Sequence, residues 1–310
     1  IYRHQYKLSP MPDSLMTVSD FRKTFVEIAD RDFVRPDDTA AVRIYGIPYF
    51  VDTLAVYYNK SHFEDRLSSR GVFAQTWDQF AGDVYRLTKL NGNVLEVAGA
   101  ALGRTDNISL GIDVLYSLML QMGTDFYDKT HRAAIFSSAQ KGNDGKTSVP
   151  GSAALSFFTS FARSNEKNYS WNKDVTVSSE NEIDAFARGK ASVIFGYSDT
   201  YERIRKAVDD HRVKKDPVIE LKDIQIAPFP QMEDPAVSTQ KRIVLAKYFA
   251  ETVSRNSKYS LNAWNLIKFL SQKENMEIYH SVSHRPTSRR DLIDSQKKEP
   301  LYGVFSGQSA

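Results

Sequence analysis

The stretch 44–60, I-Y-G-I-P-Y-F-V-D-T-L-A-V-Y-Y-N-K, constrains the fold more than any other part of the chain. It holds one acid, Asp52, between two apolar, aromatic-rich runs. β-Branched and aromatic residues suit a pleated, buried surface, so the stretch predicts two extended segments, near 47–51 and 54–58. An acid between two buried strands is costly unless it has polar partners. Two readings stand side by side. Asp52 is a turn or capping aspartate, or the chain here passes from one lobe to another and Asp52 faces the cleft between them.

Strands and helices alternate on either side. Ser19 is expected to cap a helix with Phe21, Phe25, Ile28 and Ala29 on its apolar face. Thr76-Trp77-Asp78-Gln79 has the form of a capping box, opening a helix to about Lys89 that Asn91-Gly92 ends. Residues 94–102 read as a buried strand. Asp106 and Asn107 precede a helix presenting Ile108, Ile112, Leu115 and Met119. Residues 153–162 form another helix. Ser179-Glu180-Asn181-Glu182 reads as a second capping box, and Gly189 stands at a helix C-cap. Residues 191–195 and 223–227 read as strands, and Ser198 as the cap of a helix carrying Tyr201, Ile204 and Val208. Ser260 opens a helix with Trp264, Ile267 and Leu270; 273–282 continue helically until Pro286. The last eight residues show no obvious helix. The alternation predicts an α/β protein with sheets covered by helices.

A chain of 310 residues suffices for two lobes of ordinary size. Its 41 Lys+Arg against 38 Asp+Glu leave a net charge of +3, too balanced to mark a nucleic-acid surface. The absence of cysteine excludes disulfides and cysteine-ligated metals. No run approaches the roughly 18 apolar residues of a membrane span. The chain opens on Ile1 rather than Met, and a fragment or processed chain is expected.

Catalytic and metal motifs fail one by one. There is no cysteine nucleophile and no G-x-S-x-G. His280 and His284 stand four apart, but Ser281 occupies the position where His-Glu-x-x-His needs Glu. They read as solvated histidines near a helix end. The run Gly142 to Thr147 tempts a phosphate-loop reading, but Gln140 replaces the first required glycine and Pro150 interrupts the following helix. It reads as a surface loop. No cofactor and no metal are expected. What remains is a set of polar and aromatic residues at strand ends and helix starts: Tyr49, Asp52, Asp106, Asn107, Trp171, Tyr197 and Ser198. In open α/β sheets such positions line ligand crevices. Aromatic faces stack on sugar rings while Asp and Asn bond the hydroxyls. For Tyr49 and Tyr197 the competing reading is a core position with a satisfied hydroxyl. Arg285, with Arg289 and Arg290, forms a small basic cluster whose ordinary reading is a solvated face, and Arg285 completes the candidate set.

Tyr45-Gly46-Ile47-Pro48, Val51-Asp52-Thr53-Leu54 and Tyr57-Tyr58-Asn59-Lys60 resemble the central motif of extracellular solute-binding proteins of the family 1 type. These are the sugar receptors of ABC importers, typified by maltose-binding protein. Thr76-Trp77-Asp78-Gln79-Phe80 is similar to the family's T-W-[DE]-x-[FL] helix start. Phe186-Ala187 with Gly189-Lys190-Ala191, then Phe195-Gly196-Tyr197-Ser198, resembles its A-F-x-x-G-K-A…G segment. Trp264 through Phe269-Leu270 to Lys273-Glu274 resembles a further family helix, and His284 stands where many relatives carry glycine. The motifs follow in order over residues 40–293. Family segments at both ends have no counterpart here, so the chain is expected to be truncated at both.

The resemblance implies a type II periplasmic-binding-protein fold, with two α/β lobes joined by strand crossovers at a hinge. The crossovers are expected at Val51-Asp52-Thr53, near Ala227-Pro228, and near 283–287. One lobe is then 1–51 plus 229–283, and the other 52–228 plus 284–310. Family ligand positions carry over to Asp52, Asn107, Tyr197 and Ser198. The implied function is a non-enzymatic extracytoplasmic receptor, in the periplasm or on the outer face of the cell membrane. It would capture a sugar or oligosaccharide and deliver it to the permease subunits of an ABC transporter by lobe closure. A monomer is expected, with a lipid anchor left open for the full-length protein. The alternative is a carbohydrate-active enzyme using Asp52 and a second cleft carboxylate.

Overall fold

The computed structural model describes residues 4–68, 71–142, 145–176, 180–234 and 242–309. After the short strand β1 (Leu8–Ser9), helix α1 (Val18–Thr24) is capped by Thr17 rather than Ser19. The Thr17 hydroxyl accepts from the Asp20 amide at 3.1 Å. The single helix expected here is two, because the backbone extends at Phe25 and Val26 before α2 (Glu27–Phe33) begins. Phe21, Phe25 and Ala29 are nonetheless all fully buried. A hairpin of β2 (Val34–Pro36) and β3 (Val42–Ile44) leads into the central stretch. That stretch forms β4 (Ile47–Pro48), β5 (Asp52–Thr53) and β6 (Ala55–Asn59), and the Asn59 side chain caps α3 (Lys60–Leu67).

Thr76 caps α4 (Trp77–Leu87), accepting from the Gln79 amide at 3.3 Å. Gln79 reaches back to the Gln75 amide, not to Thr76. Asn91-Gly92 turns a hairpin between β7 (Lys89–Asn91) and β8 (Val94–Val97), with Gly92 at φ 59°, so the expected long strand is only four residues. Helix α5 (Gly111–Gln121) buries Val114, Ser117 and Leu118 and leaves Ile112 exposed, a face rotated from the expected one. The glycine-rich run joins β9 (Gln140–Lys141) to β10 (Thr147–Ser148), and its residues 143–144 lie outside those described. Helix α6 (Pro150–Ser160) places Pro150 in its first turn, where the missing N–H costs nothing. Asn181 caps α7 (Glu182–Ala187) and Asp184 reciprocates; Ser179, the expected cap, lies outside the described residues. Gly189 follows at φ 69°. After β11 (Val193–Gly196), α8 (Thr200–Val213) has Asp199 as its N-cap residue, one position beyond the expected Ser198.

Strands β12 (Ile224–Pro228), β13 (Ala246–Lys247), β14 (Ala250–Glu251) and β15 (Val253–Ser254) precede α9 (Ser260–Leu270) and α10 (Lys273–Ser283). Helix α10 ends in a left-handed residue, His284 at φ 55°, before Pro286 is reached. Helices α11 (Arg290–Gln296) and α12 (Gly303–Gln308) close the chain. The final helix, not expected from sequence, is held by Phe305, whose side chain is fully buried.

The chain divides into two compact units, 1–53 with 246–310, and 54–245. In the first, β4 and β5 pair antiparallel with β14 and β13. Phe50 bridges Thr287, Phe25 bridges Arg289, and the Thr53 hydroxyl donates to the Phe305 carbonyl at 3.2 Å. These contacts place 284–310 with 1–53, not with 52–228 as expected. The core of this unit gathers Phe21, Phe25, Ile47, Trp264 and Ile293.

In the second unit β6 lies between β11 and β12 in an antiparallel three-stranded sheet. Being flanked on both edges, it is almost wholly buried. Trp77, Phe80, Phe195 and Phe229 form its aromatic centre, with Trp77 5.2 Å from both Phe80 and Phe229. Each such ring is worth about 2–3 kcal/mol on burial. Phe229 therefore belongs here, and the expected boundary at 228/229 moves to 245/246. The two ends of this unit meet: the Leu54 amide donates to the Leu245 carbonyl at 3.0 Å.

Candidate solute site

A cavity of about 560 Å³ opens in the first unit, lined among others by Tyr49, Phe50, Phe249, Glu251, Asn275, Tyr279 and Arg285. Tyr49 and Phe50 leave β4, while Phe249 and Glu251 belong to the β14 stretch. Asn275 and Tyr279 stand four apart on α10 and so share a face. Arg285 follows the left-handed end of that helix. Phe50 is central. Its ring lies 6.1 Å from Phe249 and 6.5 Å from Tyr279, and the Arg285 guanidinium sits 4.5 Å above it. That contact is a cation–π pair.

The Tyr49 hydroxyl is buried and has no hydrogen-bond partner among the described residues. Burial, helped by the negative charge of Glu251, pushes its pKa up to about 12. It is thus a neutral donor at any ordinary pH. An unmade bond of this kind costs about 1–3 kcal/mol, which a bound solute that accepts it would recover. The cavity volume falls in the range of small-molecule sites, and its lining of aromatic faces with a few polar groups is of the usual kind. Ring faces, a guanidinium, a carboxylate and a free hydroxyl suit reversible binding of a small hydroxyl-bearing solute.

Of the eight residues expected from sequence, the structure brings Tyr49 and Arg285 together in this cavity. Asp52, in the same unit, is 3% exposed and stands opposite Lys247 in the β5–β13 ladder. The other five lie in the second unit. Tyr197 is the satisfied core tyrosine of the competing reading. Its hydroxyl donates to Asp113 at 2.8 Å and its carbonyl accepts from the Tyr57 hydroxyl at 2.7 Å. Ser198 is buried beside it in sequence. Trp171 offers no ring face to a ligand, because it is fully buried, with its indole N–H donated to Asn107 at 2.9 Å. Asn107 also donates to the Thr176 hydroxyl at 3.1 Å, so these two residues form a structural pair. Asp106 is exposed and bound twice by Arg104, whose guanidinium holds its carboxyl below the ordinary range.

His280 is not solvated as expected. It is buried, with Nδ1 2.6 Å from the Arg285 carbonyl and Nε2 2.8 Å from Glu299. The His284 ring stacks on Tyr302 at 4.7 Å. Among the described residues no cluster of three or more His, Cys, Asp or Glu could hold a metal ion. Among them too, no helix is long and apolar enough to cross a membrane.

Sequence reasoning missed Phe50, Phe249, Glu251 and Tyr279. A signal existed for two of them. The adjacent aromatic pairs Tyr49-Phe50 and Tyr248-Phe249 mark two places where more rings gather than one core face takes up, and Phe249 is 65% exposed.

Three solved structures show the same fold at low identity. UgpB from Mycobacterium tuberculosis, in complex with glycerophosphocholine, aligns at a TM-score of 0.66 and 15% identity, covering 99% of this chain and 68% of that one. Maltose-bound T. maritima MalE3 aligns at 0.63 and 14%, covering 99% and 67%. An ABC transporter solute-binding protein from Thermotoga lettingae TMO, bound with alpha-D-tagatose, aligns at 0.62 and 17%, covering 95% and 65%. The chain thus spans about two thirds of their length. Their shared architecture is the type II periplasmic-binding-protein fold. Curated proteins gave no match. The family model described as bacterial extracellular solute-binding protein matches residues 16–277. With that match over most of its length, the chain belongs to the bacterial extracellular solute-binding protein family.

Proposed function

We propose that this chain is the solute-capturing part of an extracytoplasmic receptor that binds a small sugar or oligosaccharide and hands it to an ABC importer. The family match over residues 16–277 carries the reading. The cavity supports it from the side of geometry, because Tyr49 and Arg285, chosen from sequence as ligand residues, meet there beside three further rings. Structures of like fold hold tagatose and maltose, which are hydroxyl-rich, and glycerophosphocholine, whose glycerol end carries hydroxyls beside a phosphate and a quaternary ammonium. Aromatic faces take the apolar side of a sugar, and Arg285, Glu251 and the Tyr49 hydroxyl take its polar edge.

The receptor acts by binding, without changing its solute. Calorimetric titration with maltose, D-tagatose and glycerophosphocholine tests this, with the solute recovered and analysed afterwards. Saturable binding, weakened in Arg285→Gln, with the solute recovered intact, is the expected result. Hydrolysis of a glycoside that disappears in Asp52→Asn would replace the receptor by the enzyme. Binding that ignores Arg285→Gln would move the site elsewhere.

A further inference from the structure

We propose that His280 is a positioning residue for this cavity: held as an imidazolium, it fixes the turn that lays Arg285 over Phe50. The proposal deepens the solute-binding reading and rests on it only for the use to which the cavity is put.

The argument begins with donors and acceptors. His280 Nδ1 lies 2.6 Å from the Arg285 carbonyl oxygen, and Nε2 lies 2.8 and 2.9 Å from the two oxygens of Glu299. A carbonyl and a carboxylate only accept. Both ring nitrogens must therefore donate, which only the protonated ring does. His280 is 7% exposed, so water does not readily replace the Arg285 carbonyl.

The residue gripped through its carbonyl is the one whose guanidinium sits 4.5 Å above Phe50. The turn carrying it has left the helix, since His284 is left-handed. It is held at its neighbours by the Arg285 amide donating to the Ser283 hydroxyl at 3.3 Å, and by the Val51 amide donating to the Pro286 carbonyl at 3.1 Å. The His280 bond is the shortest of the three.

A neutral imidazole has one N–H. A ring lone pair turned toward the Glu299 carboxylate would be repelled, so the single N–H stays with Glu299 and the Arg285 carbonyl is released. The titratable side chains around the ring are Glu277 and His284 from its own helix and cap, and Glu299 from the connection between α11 and α12. A second cavity of about 270 Å³, bounded by these groups with Ser281 and Gln296, opens beside it and gives solvent protons a route. Arg285 is therefore seated while the ring is charged and loosened once it is not.

The test is NMR on the full 310-residue chain with labelled His, Arg and Phe. At low pH both His280 ring nitrogens should show the protonated signature. As pH rises through the titration of this ring, the Arg285 side-chain and Phe50 ring signals should move with the same midpoint. Glu299→Gln, which removes the charged partner of Nε2, should displace the midpoint of the Arg285 and Phe50 signals. His280→Gln, whose amide still donates to the carbonyl, should hold Arg285 in place and abolish the pH response. Arg285 and Phe50 signals that ignore the His280 titration, or a ring singly protonated throughout, would overturn the proposal. A maltose titration at a pH on each side of the midpoint is read separately. Coupled signals without maltose binding would uphold the positioning role and count against the sugar reading alone.

Discussion

Tyr49, Trp171 and Glu182 are all polar-edged residues with buried groups, yet each does something different with its burial. The Tyr49 hydroxyl is buried and unbonded among the described residues. Tyr49→Phe should leave stability unchanged or raise it by about 1 kcal/mol in thermal melts, while weakening solute binding by about 1 kcal/mol. Trp171 is buried and bonded to Asn107. Its truncation to Ala should cost about 3–5 kcal/mol of stability, the scale of a large core cavity, with solute affinity unchanged in the fraction that stays folded. Glu182 is 2% exposed and accepts from the Ser109 amide at 3.0 Å and hydroxyl at 3.3 Å. Burial outweighs those bonds and raises its pKa above the ordinary value of 4.5. The folded state then holds a proton that the unfolded state has lost. This contribution to stability is full below pH 4.5 and declines as pH rises through the raised value. Glu182→Gln, which keeps an acceptor toward Ser109, should flatten that decline in Tm against pH and leave the variant at least as stable at neutral pH.

At the scale of elements, the end of α10 shows two effects in balance. A left-handed non-glycine residue costs about 1 kcal/mol. Stacking of the kind His284 makes on Tyr302 returns about 0.5–1.5 kcal/mol. His284→Gly should therefore change stability by less than about 0.5 kcal/mol, and His284→Ala, which keeps the strain and loses the stack, should destabilise by about 1 kcal/mol in denaturant melts.

The same scale shows what was legible in the sequence. Capping chemistry at Thr76, the C-cap glycine Gly189 and the strands around Asp52 were readable because they depend on a few adjacent residues. The break between α1 and α2 was not, because Phe25 and Val26 keep a helical apolar period while the backbone extends to pair Phe25 with Arg289, far away in sequence. The candidate cavity was half legible. Tyr49 stood out as an aromatic at a strand end and Arg285 as part of a basic cluster, but Phe249 and Tyr279 join them only through the pairing of β4 with β14 and the packing of α10. Trp171 misled because an indole in a polar stretch looks exposed, and its partner Asn107 lies distant in sequence.

For the whole molecule, the second unit has its own aromatic core and adjoining ends. A polypeptide of residues 54–245 should fold by itself, with a cooperative melt followed by the fluorescence of Trp77 and Trp171 and abolished by Trp77→Ala. A non-cooperative melt would show that this unit needs the rest of the chain. The hydrogen bond between Leu54 and Leu245 also bears on the order of events in time. In an unfolded chain, bringing Thr53 to Ala246 means closing a loop that spans residues 54–245, an entropic cost of about 5 kcal/mol. Once the inner unit has folded, its two ends are already neighbours and that cost has been met. The outer unit should then assemble quickly, and slowly when the inner unit is crippled. Stopped-flow refolding should show β5–β13 pairing trailing the inner core, a sequence of folding imposed by where the chain departs and where it comes back.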